Sequence, residues 1–280
     1  MLRLILQVLT VWTPLVAVAL QTSIVMILLS SFVFGLVFGS FLNVIIYRLK
    51  SGGSIGLSRS FCPECKITLK WYDLVPVFSF VWLRGRCRYC GEKISWQYPI
   101  VEILSGLIWV LLARRSFNEG GGFFDFTYYI FILSALLVIA VYDFKWKIIP
   151  NKIVYPAIAF VFLYNVFNSF KLLNLETFIY PLFTAIITFL FFFAIYHFSS
   201  GKAMGLGDAK LAFLIGLFLG PIYSAVAFTL SFIIGAVFGI LLIASKKKSL
   251  KSQIAFGPFL VLGAFLAFFF PDFIIKLLNF

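Results

Sequence analysis

The stretch Met204-Gly205-Leu206-Gly207-Asp208-Ala209-Lys210 places a carboxylate just before an uncharged apolar run that continues to Ala244. An aspartate at the centre of a membrane helix costs about 2.5–3.5 kcal/mol on insertion scales, so we expect Asp208 in a wet, protein-lined position. Gly205 and Gly207 let the backbone turn tightly and let another chain approach closely. The alternative is that Asp208 only caps the helix that follows, because aspartate is a favoured N-cap residue.

The composition is that of a polytopic helical membrane protein. Of its 280 residues, 62% are hydrophobic and 12% are charged, and the mean hydropathy is +1.08. The chain lacks the alternation of polar and apolar residues that transmembrane barrels require, so we predict an all-α fold with about eight transmembrane helices. The predicted spans are Ile24–Tyr47, Pro99–Leu112, Phe126–Tyr142, Ile153–Phe170, Phe178–His197, Leu211–Gly220, Ile222–Ala244 and Phe256–Leu278.

Residues 1–23 form an apolar extension, either an interfacial segment or a continuation of the first helix. A cleaved signal peptide is poorly supported, because Arg3 alone makes a weak basic region and no clean cleavage site follows. Five glycines in the later spans are expected to allow close helix packing: Gly216, Gly220, Gly235, Gly239 and Gly263.

The net charge of +13 is distributed as in a membrane protein, with basic residues flanking the predicted spans, and this argues against nucleic-acid binding. With eight spans, 18 of the 23 Lys and Arg residues fall on one side. The positive-inside rule makes that side cytoplasmic and both termini external. Two aspartates, Asp143 and Asp208, then lie at the cytoplasmic face.

The largest loop, about Arg48–Gln97, holds all four cysteines, as Cys62-Pro63-Glu64-Cys65 and, after 21 residues, Cys87-Arg88-Tyr89-Cys90. Two such knuckles supply the four thiolates of a structural zinc site. A reducing cytoplasmic side argues against two disulfides. Gly91 is expected to provide the tight turn after the second pair.

Asp143 ends an apolar run and precedes Phe144-Lys145-Trp146-Lys147-Ile148-Ile149-Pro150-Asn151. Two aspartates from different helices at one membrane face suggest a pair that shares a proton, the arrangement with which aspartic proteases activate water.

At these two aspartates the chain resembles the type IV prepilin peptidases, also called leader peptidases. The similarity is carried by the glycine-x-glycine-aspartate stretch at Gly205–Asp208 and by Asp143 ahead of Ile149-Pro150, and it runs from about Gly39 to Phe259. Asn151 stands where the family often has an aspartate. This difference affects only a supporting role at position 151, because Asp143 and Asp208 are both present. Further similar segments are Gly39–Val44 with Tyr47-Arg48, Leu83–Gly91, Ser95–Glu102 and Phe256–Phe259.

The resemblance implies a methyltransferase-type region over residues 24–124 and a six-helix aspartic peptidase core over residues 125–280. It implies a multi-pass enzyme of the bacterial inner membrane that serves type IV pili or type II secretion. This enzyme cuts the leader from prepilins or pseudopilins at the cytoplasmic face and methylates the new N-terminal residue with S-adenosylmethionine. Asp143 and Asp208 would be catalytic, with Gly205, Gly207 and Lys210 supporting the active-site loop. No glycine-rich loop marks a binding site for the methyl donor.

Glu102 allows two interpretations. In the structural one it lies in the first turn of a helix that begins near Pro99, where the helix dipole favours an acid, and pairs with an arginine of the cysteine loop. In the functional one it takes part in methyl transfer or substrate binding.

Two other functions fit parts of the pattern. A presenilin-like or signal-peptide-peptidase-like intramembrane protease would also use Tyr142-Asp143 and Gly205–Asp208, but the four cysteines and the segment Phe41–Arg48 argue against it. A transporter or assembly scaffold that binds a cation with paired acids would place them near the bilayer midplane between repeated halves, and the sequence shows no internal repeat.

Overall fold

The computed structural model describes residues 2–52, 59–119, 122–245, 254–271, 274 and 276. Within these ranges the chain is helical apart from turns, one short 3₁₀ segment (Trp71–Asp73) and two isolated β-bridges, which confirms the predicted all-α class. The α-helices are α1 (Leu2–Ser51), α2 (Phe78–Trp82), α3 (Gln97–Glu119), α4 (Phe123–Trp146), α5 (Asn151–Leu172), α6 (Glu176–Phe198), α7 (Leu206–Ala244) and α8 (Gly257–Phe269).

Six of these helices are long and apolar enough to cross a membrane, namely α3 to α7 and the Thr22–Ser51 part of α1. The polytopic membrane fold is therefore confirmed. The first helix runs without interruption from Leu2 to Ser51, so the N-terminal extension continues that helix and is not a separate interfacial segment. In the described residues the last predicted span is reduced to the 13 residues of α8.

Helix α7 contains both of the spans predicted on either side of Gly220, and it begins at Leu206, earlier than Leu211. Gly220 has φ 71° and ψ −172°, a conformation open essentially to glycine alone, and Pro221 follows it. A straight helix would separate Ile215 from Ser224 by about 13 Å along its axis. The Ser224 hydroxyl instead lies 3.5 Å from the Ile215 carbonyl oxygen, so the chain folds back at Gly220.

A helix that ends inside a bundle leaves carbonyl groups without partners, and in a membrane these must be satisfied by other protein groups. Leu217 lies in the last turn before the fold-back. The Asn165 side-chain amide, on α5, donates a hydrogen bond of 2.9 Å to the Leu217 carbonyl oxygen. A polar side chain on a neighbouring helix therefore completes this helix end.

The chain forms two compact units, Met1–Val44 with Leu57–Ile130 and Ile45–Gly56 with Phe131–Phe280. In the first unit, α1 and α3 approach closely at small residues. A Cβ atom placed on Gly39 would lie 2.7 Å from the Glu102 Cα, and one on Gly35 would lie 2.7 Å from the Gly106 Cα. Only glycine fits at these contacts.

In the second unit, α7 packs against α5, α6 and α8. Two of the five predicted packing glycines are essential to these contacts: Gly216 lies against Ala185 and Thr188 of α6, and Gly263 of α8 lies against Ala227. Gly235 faces the Phe256 ring. The expectation was wrong for Gly239: among the described residues, no atom would lie within 4 Å of a Cβ at this position. Gly220 serves the fold-back.

Candidate active site and cysteine cluster

The structure brings the two predicted carboxylates together in the second unit. Asp143 lies in the last turn of α4, which ends as Lys147 takes a positive φ of 55°. Asp208 is the third residue of α7. Both side chains are buried, with 4% and 9% of their surface exposed, and their charges are close enough to repel each other.

Each carboxylate accepts a hydrogen bond from a glycine N–H at the start of a helix. The Gly205 N–H donates to Asp208 Oδ2 at 3.0 Å, and Gly205 is the N-cap of α7. The Gly257 N–H donates to Asp143 Oδ2 at 3.1 Å, and Gly257 is the first residue of α8. Because helix N-termini carry partial positive charge, both positions favour a carboxylate.

The N-cap interpretation of Asp208 needs correction. The N-cap is Gly205, and Asp208 reaches back to it from the first turn, as the acid of a capping box does. Stabilising the helix start and facing Asp143 are compatible roles for one carboxylate.

Gly257 is a site residue whose role the sequence did not reveal. A Cβ atom on this residue would lie 2.6 Å from Asp143 Oδ2, so any side chain would displace the carboxylate. Its sequence signals are the Gly257-Pro258 pair at the start of an apolar run, which is typical of a helix N-terminus, and its place in the family-like segment Phe256–Phe259.

The predicted supporting residues lie beside this pair. A Cβ atom on Gly207 would come within 3.0 Å of the Ile149 Cβ, so glycine lets α7 approach the segment between α4 and α5. The Lys210 Nζ donates to Asn151 Oδ1 at 3.1 Å and lies over the Tyr155 ring. Lys210 thus links the start of α7 to the start of α5. The side-chain amide oxygen of Asn151 is the acceptor that makes this link.

The four cysteine sulfur atoms lie within 4.8 Å of one another in the first unit, and all four thiols are free. Cys62 Sγ and Cys90 Sγ are 4.0 Å apart. Sulfur atoms arranged tetrahedrally around a metal at about 2.3 Å are about 3.8 Å from each other, so the cluster needs only a small contraction to hold one ion. The predicted meeting of the two cysteine pairs is confirmed.

The two knuckles repeat one backbone pattern. The Lys66 N–H donates to the Cys62 carbonyl oxygen and the Gly91 N–H donates to that of Cys87, each at 2.9 Å. Gly91 has φ 74°, which confirms the predicted tight turn, and Lys66 has φ 60° at the equivalent place. Burial raises the pKa of the Cys87 thiol, but backbone N–H groups of Cys90 and Tyr89 outweigh it and lower that pKa to about 7.

Asp73 ties the 3₁₀ segment to the second knuckle. Its carboxylate accepts hydrogen bonds from Arg88 Nε at 2.7 Å and from the Tyr89 hydroxyl at 3.0 Å. Burial opposes ionisation of this group, but the bonds from Arg88, the Lys70 N–H and Tyr89 lower its pKa below the ordinary value. The stability that this network adds is therefore present at neutral pH and is lost as the pH falls through the lowered pKa.

Glu102 is buried and reaches the cysteine loop in a way that the sequence did not predict. It is the sixth residue of α3, beyond the first turn, and its carboxylate accepts the Val77 N–H at 2.8 Å and the Ser40 hydroxyl. The loop therefore offers Glu102 a backbone group, the Val77 N–H. Val77 has φ 59° and ψ −47°, a strained conformation for a β-branched residue, and the Phe78 N–H closes this tight turn onto the Pro76 carbonyl oxygen.

Comparison with known proteins gives two family matches. Residues 33–116 match the bacterial peptidase A24 N-terminal domain, and residues 130–240 match the type IV leader peptidase family. A prepilin leader peptidase/N-methyltransferase of Bacillus subtilis is 33% identical over 88% of this chain and 95% of its own length. One of Vibrio cholerae is 35% identical over 84% of this chain and 93% of its own. The chain belongs to the type IV leader peptidase family. No solved structure matches it.

Membership of the leader peptidase family decides between the functions that the sequence left open. The resemblance is confirmed, and neither a presenilin-like protease nor a transporter or scaffold is the family that these matches identify. The N-terminal domain match falls largely on the first compact unit, and the leader peptidase match falls on the second.

The contact between Glu102 and Val77 gives a first prediction. Glu102→Gln retains a carbonyl oxygen that can accept the Val77 N–H, so the cysteine loop should resist protease as in the unchanged protein. Glu102→Leu leaves the strained turn at Val77 without its partner, and limited proteolysis within residues 71–96 should become several-fold faster.

The same pair of variants tests a role of Glu102 in methyl transfer. If Glu102→Gln keeps the loop intact and abolishes methylation, the charge itself is needed, and a purely structural role is excluded. Equal protease resistance of the Gln and Leu variants would contradict the structural role.

Proposed function

We propose that this leader peptidase removes the leader peptide of type IV prepilins or pseudopilins by aspartic catalysis and then methylates the new N-terminal residue. Its relatives carry the name prepilin leader peptidase/N-methyltransferase and align over most of both chains. The single observation that supports the catalytic assignment is the buried pair Asp143 and Asp208, held on different helices and repelling each other.

In the proposed reaction the two carboxylates share one proton, because two neighbouring buried carboxylates cannot both ionise cheaply. The ionised carboxylate removes a proton from water as the water oxygen bonds to the scissile carbonyl carbon. The protonated carboxyl gives its proton to the carbonyl oxygen. The C–N bond of the tetrahedral intermediate then breaks, and the amine leaves with the proton that came from water. One hydroxyl of the intermediate returns its proton to the other carboxylate, which forms the new carboxyl group and restores the shared proton.

The glycine N–H groups have a separate task in this proposal. They fix Oδ2 of each aspartate, so that Oδ1 of each is assigned to the shared proton and to water. Gly205 and Gly207 also keep the start of α7 thin enough for an extended substrate to lie beside it. Lys210 is assigned a positioning role, through Asn151.

Replacing either aspartate tests the mechanism directly. Asn is nearly isosteric with Asp but cannot ionise, so Asp143→Asn and Asp208→Asn should each lower prepilin cleavage roughly 100- to 10,000-fold. Cleavage is measured in liposomes with a prepilin that carries its leader. Glu176→Gln, which removes an acid from the first turn of α6, is the matched control and should cleave normally. Cleavage above half of the normal rate by either folded Asn variant would contradict the mechanism.

The contact of Gly257 with Asp143 gives an independent test. The added methyl group of Gly257→Ala displaces the Asp143 carboxylate, and a misplacement of this size should lower the cleavage rate on the order of 10- to 100-fold. Gly239→Ala adds the same methyl group at a position that has no described neighbour within 4 Å, and should have no effect. Equal rates for the two variants, with unchanged thermal stability, would show that Gly257 does not position Asp143.

We propose that the ion held by the cysteine cluster is zinc, bound by Cys62, Cys65, Cys87 and Cys90. Four thiolate donors in near-tetrahedral arrangement are the usual structural zinc site. Such an ion joins the two knuckles and stabilises a loop whose large apolar side chains, such as Trp71, Phe78 and Trp82, are exposed and form no core.

Elemental analysis should therefore find about one zinc per chain, as a single four-thiolate site requires. The double change Cys62→Ser with Cys65→Ser should remove the zinc, expose the loop to protease and reduce methylation more than cleavage. Glu64→Gln, within the same knuckle, should keep the zinc. Full zinc content in the double variant, or none in the unchanged protein, would contradict the assignment.

S-adenosylmethionine is the methyl donor that this function requires. The cavity beside the cysteine loop does not fit it: Arg84, Arg86 and Lys93 line this cavity, and the donor's sulfonium is itself positive. We assign no residue and no step to the donor. The division into residues 24–124 for methyl transfer and 125–280 for cleavage remains part of the proposal.

We propose that the protein lies in the bacterial inner membrane with its active site and cysteine loop facing the cytoplasm. The distribution of basic residues over the loops supports this orientation.

Reporter fusions test the orientation. A cytoplasmic reporter fused after Lys70 should be active, and one fused after Lys171 at the end of α5 should be inactive. The reverse pattern would place the cysteine loop outside and exclude the orientation.

A further inference from the structure

The cysteine loop presents an apolar surface next to a membrane helix. Phe78 and Trp82 of α2 stack with ring centroids 5.8 Å apart, and they are 61% and 71% exposed. Trp96, 70% exposed, directly precedes α3. Because α3 is a membrane span, Trp96 lies at the level where the chain enters the bilayer, which is where tryptophan is enriched.

A cavity of about 640 Å³ opens between the cysteine loop and α3, next to Trp96. Phe80 and Trp96 form part of its wall from the loop, and Pro99 and Ile103 form part of it from α3. Three basic residues also line it, Arg84, Arg86 and Lys93, and no Asp or Glu is among its described lining residues. The cavity therefore combines an apolar, membrane-level wall with concentrated positive charge.

The backbone fixes the basic side of this cavity. Arg84 and Gly85 lie just after the end of α2, and both have positive φ, 51° and 68°. The Gly85 N–H donates to the Phe80 carbonyl oxygen at 2.8 Å, and the Ile94 N–H donates to that of Gly85 at 2.8 Å. A hydrogen bond of 3.4 Å to the Gly91 carbonyl oxygen engages one N–H group of Arg86. The other donors of the guanidinium are available to a ligand.

We propose that this cavity binds the phosphate headgroup of an anionic phospholipid, with the acyl chains lying along the first turns of α3. Arginine guanidinium groups bind phosphate oxygens in pairs, and lysine adds charge. Ile100 and Ile103, 49% and 39% exposed, continue the apolar wall from the cavity along the membrane span. A basic peptide or a sulfonium compound would be repelled by the same three cations.

The test is retention of lipid by the purified full-length protein, measured by native mass spectrometry from micelles that contain equal phosphatidylglycerol and phosphatidylcholine. We expect one phosphatidylglycerol per chain and no bound phosphatidylcholine. Changing Arg84, Arg86 and Lys93 together to Gln should weaken phosphatidylglycerol binding about 100-fold, given the usual contribution of each basic residue at an anionic surface.

The matched control changes Arg59, Lys66 and Lys70 to Gln, which removes three charges from the same loop but none from the cavity. It should weaken binding less than about tenfold, as a change in general surface attraction does. Equal loss in both variants would overturn the site, as would equal retention of the two lipids. Displacement of the lipid by millimolar inorganic phosphate would show that the cavity takes free phosphate and overturn the lipid assignment. Normal metal content shows that both variants fold.

Discussion

The close approach of two buried carboxylates, Asp143 and Asp208, is the constraint around which the starts of α7 and α8 are arranged. No opposite charge neutralises Asp143 or Asp208 in the described contacts; a glycine N–H at a helix start holds each one. This solution requires α7 and α8 to begin at the site. At position 257 it also requires a residue without a side chain, because a Cβ atom there would lie 2.6 Å from Asp143 Oδ2. Gly257 is thus a consequence of how one carboxylate is held, whereas Gly207 is required by packing against Ile149.

The sequence predicted what depends on residue type and spacing. Aspartate is costly among apolar spans, so Asp143 and Asp208 stood out, and two closely spaced cysteine pairs identified the cluster. The sequence could not predict contacts that backbone groups make. The Gly257 N–H and the Val77 N–H carry no signature in residue type, and the partners of Asp143 and Glu102 are these groups. The predicted first-turn position of Glu102 failed because α3 begins at Gln97, ahead of Pro99.

The first unit shows a different way to order a segment with little core. Two knuckles with the same turn bring four thiols together, Asp73 joins the 3₁₀ segment to the second knuckle, and Glu102 reaches from α3 to the strained turn at Val77. Each connection is polar and local. The loop can therefore leave its large apolar side chains exposed next to a membrane helix, because they are not needed to hold it together.

The hydrogen bond from Asn165 to Leu217 also bears on how the chain enters the membrane. Segments made at the ribosome enter in order from the N-terminus, so α5 is present before the fold-back at Gly220 is synthesised. The carbonyl oxygen of Leu217 would be without a partner in lipid, but the amide that satisfies it is already in place. The donor for this helix end is thus made before the helix end itself, and the Asn165 amide in turn gains its acceptor only when the hairpin arrives.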